Sequence, residues 1–278
     1  MIHIRNNEEI EIIRKSALMV SATLSEVAKF LKPGITTLSL DQMAETFIRD
    51  HGGVPSFKGY HGFPYSLCIS VNEVVVHGFP SKYELKDGDI VSVDCGVYMN
   101  SYHGDSAYTF PIGNVRPKVL RLLTVTRESV YRGIEQAKDQ NRVGDISFAI
   151  ENFTSRENPY GVVRELVGHG VGKDLHEDPQ IPNNGKRGDG KKLKTGMVIA
   201  IEPMINMGRR EVYTLDDGWT VVTRDKQPSA HFEHTVAIRK NKGEPLSSFQ
   251  PIEAALRANP ELNASFLASV AESPANIS

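Results

Sequence analysis

The sequence predicts an α+β fold, an antiparallel sheet with helices on its outer face and an internal pseudo-two-fold symmetry. Three observations carry this. Apolar residues recur at helical spacing in two segments before any strand-like run, the pattern then changes to dense β runs, and the same order of helices followed by strands returns once more. Blocks in this order favour helices segregated from an antiparallel sheet over the strict alternation of a parallel one. No repeat of about 20 to 50 residues is visible, so the symmetry is one of architecture.

Residues 7 to 32 place Ile10, Ile13, Ala17, Val20, Leu24, Val27 and Leu31 on one helical face, with Glu8, Glu9 and Glu11 near the positive end of the dipole. Pro33-Gly34 ends this helix. A second amphipathic helix fits residues 39 to 50, presenting Leu40, Ala44 and Phe47 and stopping at Gly52-Gly53. From Ser66 to Phe110, the runs SLCISV, VVVHGF, DIVSVDCGV and SAYTF are separated by turn formers such as Lys86-Asp87-Gly88-Asp89 and Asn100-Ser101, which predicts an antiparallel meander. Helical spacing returns over 116 to 138 and again over 144 to 153. GMVIAIEPMIN, WTVVTRD and AHFEHTVAI then form the clearest strands. The Gly-rich, basic stretch NNGKRGDGKKLK, residues 183 to 194, is expected as an exposed loop. Residues 1–242 are expected to form a single domain and 243–278 a C-terminal extension, with a short helix near 252 to 257 and mobile final residues.

Composition narrows the function classes. The 278 residues are 40% hydrophobic and 24% charged, enough for a sizeable core. A net charge of -2 gives no reason to expect a DNA or membrane partner. The opening MIHIRNNEEI lacks the apolar centre of a signal peptide, and no stretch approaches the roughly 20 apolar residues of a membrane span, which points to a cytoplasmic protein. Cys68 and Cys95 form no CxxC pair and read as structural thiols.

Four acids lie where acids are costly. Asp94 and Asp105 fall on two runs joined by a turn near Asn100, close to opposite each other, and directly paired residues have Cβ atoms about 4.5 to 5.5 Å apart. Two carboxylates so close repel unless a cation, a proton or a salt bridge compensates them. Glu202 in MVIAIEP and Glu233 in AHFEHTVAI interrupt runs that otherwise read as buried strands, and no lysine or arginine is evident beside them. His169 in VGHGVG has a glycine on each side, permitting close backbone approach. Four carboxylates with a neutral imidazole balance two divalent ions, and an oxygen-dominated set with one nitrogen suits Mn, Fe, Co or Zn rather than a closed structural zinc site. His77 in NEVVVHGFP and His176 in LHEDPQIPN lie beside turns and could donate to a developing oxyanion or a leaving amide; His61, His103, His231 and His234 carry no comparable signal.

These residues resemble the type I methionine aminopeptidases of the pita-bread fold. The resemblance rests on NEVVVHGFP, DCGVYMNSYHGDSAYTF, GHGVGKDLHEDPQIPN, IEPMIN and FEHTVAI, in the family's order, and spans roughly residues 7 to 240. It implies that Asp94, Asp105, His169, Glu202 and Glu233 hold two divalent ions (Co, Mn, Fe or Zn), Asp105 and Glu233 bridging them. It also implies that a metal-bridged hydroxide removes the initiator methionine of nascent proteins whose second residue is small. Glu202 would shuttle protons, His176 stabilise the oxyanion and His77 bind the amide of the second residue. Asn72, Val74 and Ser229 would hold one Na or K ion. Phe57, Tyr60, Phe63, Cys68, Leu175 and Trp219 would form the apolar methionine slot; Leu175, Phe57 and Phe63 stand where the family often has an aromatic, Cys and Tyr respectively. The 31 positions between Glu202 and Glu233 leave no room for the insertion of type II enzymes, and no Cys/His-rich extension precedes the domain, which leaves a bacterial or organellar form. A monomer with transient ribosome contact is expected. The rival readings are a non-catalytic pita-bread binding protein, which would typically lack metal ligands, an Xaa-Pro aminopeptidase with an added N-terminal domain, and a structural metal protein without turnover.

Overall fold

Helix α1 (Asn7–Phe30) starts at a reciprocal cap: Asn6 accepts from the Glu9 amide and the Glu9 carboxylate accepts from the Asn6 amide, both at 2.9 Å. Its stripe of Ile10, Ile13, Ala17, Val20, Leu24 and Val27 is buried. A computed structural model provides these coordinates and describes residues 1–267. Helix α2 (Thr37–Asp50) begins at the Thr36 cap, two residues earlier than expected, and buries Leu40, Ala44 and Ile48. Phe47, expected on that face, instead lies partly exposed against the His51 ring at 4.2 Å, because the i, i+4, i+8 row from Leu40 ends on residue 48.

The first half continues with β1 (Val54–Pro55), β2 (Leu67–Val71), β3 (Val74–Val76), β4 (Ile90–Met99) and β5 (Tyr102–Pro111). The expected meander is corrected here. Strand β4 is central, with β5 along one edge and β2 and β1 along the other, while β3 leaves to join a different sheet. The departure is local: Asn72 turns the chain with φ of 53°, so β3 pairs with a distant strand rather than with β2.

The second half repeats two helices, α3 (Pro117–Gln136) and α4 (Val143–Glu151), before its strands. These are β6 (Gly161–Val162), β7 (Gly168–Gly170), β8 (Glu177–Ile181), β9 (Val198–Ile201), β10 (Met204–Asn206), β11 (Val212–Thr214), β12 (Val221–Thr223), β13 (Ser229–His231), β14 (His234–Ile238) and β15 (Gly243–Pro245). A five-stranded sheet has the order β15-β14-β9-β7-β8, and two small sheets are β13-β10-β6 and β11-β12-β3. Two runs expected as single strands are each broken in two. Residues 202–203 separate β9 from β10, and residues 232–233 separate β13 from β14. The breaks face each other, since Ile201 pairs with His234 and Met204 with His231.

Residues 243–267, the described part of the expected C-terminal extension, pack into this fold. Strand β15 extends the five-stranded sheet, and α5 (Gln250–Ala258) lies on α1 with Ile252 and Leu256 fully buried. Glu253 accepts from Arg127 Nε at 2.7 Å, and Asn259 Nδ2 donates to the carbonyls of Ala28 and Leu31 at the end of α1. The expected mobility of the final residues concerns 268–278, outside the described part. The 183–194 loop is exposed from 186 to 192, but its ends are anchored by buried Asn183 and Leu193. No helix among the described residues is long and apolar enough to cross a membrane.

Candidate metal centre and active site

The centre forms where the long hairpin of the first half meets the broken strands of the second. In the hairpin ladder Asp94 lies opposite Ala107 and Asp105 opposite Gly96. The two carboxylates, expected close to opposite each other, thus share one face and sit diagonally, offset by two residues; the turn at Asn100-Ser101 sets this register. Strand β5 then clamps the facing break. The Glu233 amide donates to the Ala107 carbonyl at 3.0 Å, Ser106 Oγ donates to the Glu233 carbonyl at 2.6 Å, and Thr235 Oγ1 both accepts from the Asp105 amide and donates to the Asp105 carbonyl. Across the gap, Asn183 Nδ2 donates to the Glu202 carbonyl at 3.1 Å.

His169 enters from β7, and its flanking glycines are required by close approach. A Cβ at Gly168 would lie 2.4 Å from the Ala200 carbonyl oxygen, and one at Gly170 the same distance from that of Asp178. His169 Nδ1 lies 2.9 Å from the Gly170 carbonyl, and an N–H there leaves the Nε2 lone pair free to face the acids. Nε2 is 3.5 Å from Glu202 Oε1 and 3.9 Å from Asp105 Oδ2. Ligand atoms of Asp105, His169 and Glu233 all lie within 4.8 Å of one another.

Among the described residues, no lysine or arginine contributes to offsetting this charge. Burial first, then neighbouring carboxylates, pushes Asp105 and Glu233 well above the ordinary carboxylate range. Burial raises Glu202 to about 8 and Asp94 to about 7, the nearby His231 partly opposing the rise at Asp94. Burial also lowers His169 to about 3, so its imidazole is neutral. Asp94 Oδ1, Asp105 Oδ1 and Glu233 Oε1 are buried without any hydrogen-bond partner. Orphaned acceptors converging on one lone-pair nitrogen are a donor set that fits divalent cations.

Above this floor opens a cavity of about 280 Å³, lined by every residue expected for the slot: Phe57, Tyr60, Phe63, Cys68, Leu175 and Trp219. Phe57, Phe63, Cys68 and Leu175 are buried together, with Phe63 edge-on to Trp219 at 5.2 Å. Cys68 and Cys95 are both free and buried, and burial pushes their thiols up, as expected of structural cysteines. His77 and His176 also line the cavity. His77 sits at a φ of 58°, and burial lowers it to about 4. His176 keeps an exposed edge, lies 4.2 Å from His169 ring to ring, and has its Nδ1 2.7 Å from the Tyr60 hydroxyl. A phenol donating to Nδ1 leaves the proton on Nε2, the form that can donate to an oxyanion.

Asn72 and Ser229 also meet, the Ser229 amide donating to the Asn72 carbonyl at 2.9 Å, with Val74 two residues along the chain. Sequence reasoning missed the second aromatic layer, Tyr65 and Phe79, which backs Phe63. It also dismissed His231, which lies 3.7 Å from Glu202. The aromatics carried a readable signal, lying within a few residues of Phe63 and His77; nothing in the sequence distinguished His231.

Comparison with known proteins agrees with this geometry. Residues 11–240 match the model of metallopeptidase family M24. The chain is 53% identical to a methionine aminopeptidase of Clostridium perfringens over 247 residues, covering 89% of this chain and 99% of that protein. It is 54% identical to methionine aminopeptidase 1 of Bacillus subtilis, covering 86% and 96% respectively. The crystal structure of methionine aminopeptidase from Rickettsia prowazekii superposes with a TM-score of 0.87 at 39% identity, covering 89% of this chain and all of that one.

Proposed function

Because the chain belongs to metallopeptidase family M24, we propose that it removes the N-terminal methionine of nascent polypeptides whose second residue is small. The observation that carries this reading is the pairing of a largely apolar slot with a floor of four enclosed carboxylates and a neutral histidine. The slot is lined by aromatic and aliphatic side chains and suits an unbranched thioether. Asp94, Asp105, His169, Glu202 and Glu233 would hold two divalent ions, of Mn, Fe, Co or Zn; bound there, these supply Lewis acidity and lower the pKa of water.

The remaining chemistry belongs to side chains. His176, oriented by Tyr60, donates from Nε2 to the carbonyl oxygen of the methionine as it gains charge. His77, kept neutral by burial, binds the amide of the second residue. Glu202 takes a proton and returns it to the leaving amine, a role supported by its place in the cavity lining beside His169. One Na or K ion at Asn72, Val74 and Ser229 belongs to the same reading. So do action as a cytoplasmic monomer and transient ribosome contact.

The direct test is methionine release. Protein loaded with divalent metal should free methionine from Met-Ala and Met-Gly peptides but not from Met-Leu, and a chelator should abolish release. Absence of release with each of the four metals would overturn the reading.

A further inference from the structure

Resting on the metal-dependent reading above, we propose that His231 is a positioning residue for Glu202. The residue is 1% exposed at the end of β13, and its Nε2 is buried with no hydrogen-bond partner. That nitrogen lies 3.7 Å from Glu202 Oε2, while the other oxygen, Oε1, lies 3.5 Å from His169 Nε2. Two imidazole nitrogens therefore straddle one carboxylate, one at each oxygen. The backbone of His231 is held on both sides, its amide donating to Thr109 Oγ1 and its carbonyl accepting from the same hydroxyl, at 3.0 and 2.7 Å. The register of Met204 opposite His231 sets the ring beside the break that presents Glu202.

A neutral imidazole with its proton on Nε2 donates to Oε2 once the two close by about 0.8 Å, well within side-chain relaxation. Held there, Glu202 turns Oε1 toward His169 and the cavity, where a proton has to be taken and returned. Carboxylates at metal centres commonly need such an outer partner to fix their orientation.

The test compares wild-type protein with His231→Gln, which keeps a donor, and with His231→Leu and His231→Ala, which do not. Each is loaded with Co(II), and thermal unfolding confirms the fold. All four should bind the same number of ions by calorimetry. His231→Gln should keep kcat within about threefold and leave the visible Co(II) bands unchanged, whereas the donor-free variants should lose roughly 10- to 100-fold in kcat with KM within about twofold and shifted bands. Wild-type kcat and bands in both donor-free variants would overturn the proposal. So would a Gln variant as impaired as they are, or the loss of one ion per chain, which would make His231 a ligand. Failure of the wild-type arm to take up Co(II) would instead overturn the metal-dependent reading, and His231 with it.

Discussion

The first and second halves of the molecule each contribute two carboxylates to the same centre, but they hold them by different means. Asp94 and Asp105 project from an unbroken hairpin whose ladder runs from Ile90 opposite Pro111 to Met99 opposite Tyr102, so the pleat alone aims them. Glu202 and Glu233 sit in facing two-residue gaps, where the backbone must find partners elsewhere: Asn183 for the Glu202 carbonyl, Ala107 and Ser106 for Glu233. A regular strand can present a carboxylate without help. A broken one needs neighbours, and here the helpers of Glu233 come from the other half's hairpin, which ties the two halves together at the centre.

Neutralising one carboxylate on each side breaks this arrangement most severely. Asp105→Asn and Glu233→Gln should each lower kcat/KM by more than about 100-fold, beyond the range typical of outer partners, and weaken metal uptake in calorimetry. The metal-free variants should at the same time melt at higher temperature than wild type near pH 8, because a carboxyl that burial and its neighbours hold well above its unfolded pKa costs stability at that pH, and the amide does not. A lower melting temperature would show that the acids are compensated by something other than a cation.

The next effect is on pH. Glu202 rises from 4.5 to about 8 and Asp94 from 3.8 to about 7 on folding. Between those values the folded state binds more protons than the unfolded one. Stability of the metal-free protein contributed by these groups is therefore present below about pH 4 and is lost as pH rises toward 8. Thermal melts across pH 5 to 8 should show this fall, and bound metal should abolish it; a melting temperature that rises over that window without metal would contradict the electrostatics.

Smaller effects separate the two kinds of support. Asn183→Ala removes the helper at one break only and should cost about 1 to 3 kcal/mol by denaturant titration, the penalty of an unpaired buried carbonyl, while lowering metal affinity. Leu175→Ala touches the slot and neither carboxylate pair. It should lower kcat/KM for Met-Ala by roughly tenfold, near the loss of two methylene contacts, and leave metal affinity unchanged.

The same contrast explains what was legible in the sequence. Helix α1 was readable because Ile10 through Val27 follow one helical face, and Asp94 because an acid inside an apolar run stands out. The diagonal offset of Asp94 and Asp105 was not, since one residue at the Asn100-Ser101 turn changes the register and only the folded ladder fixes it. The breaks at Glu202 and Glu233 were hidden by the strong β propensity of the flanking residues, which local pattern cannot weigh against tertiary clamping by Ser106 and Thr235. Residues 243–267 seemed peripheral because Pro, Ser, Asn and Ala are frequent there, yet Leu246, Phe249, Ile252 and Leu256, three or four apart, are all buried. His231 stayed unread because its significance is an unpaired nitrogen beside a distant acid, a property of space rather than spacing.

The most direct measurement is calorimetric titration of Mn(II) or Co(II) into metal-stripped protein at pH 7.5, in two buffers of different ionisation enthalpy. Four carboxyls raised by burial and repulsion, converging with the free lone pair of His169, predict uptake of two ions per chain with release of protons, and loss of that uptake in the Asp105→Asn, Glu233→Gln double variant. Wild-type protein that binds neither ion, or a double variant that binds both as tightly as wild type, would contradict a two-ion centre built from these residues.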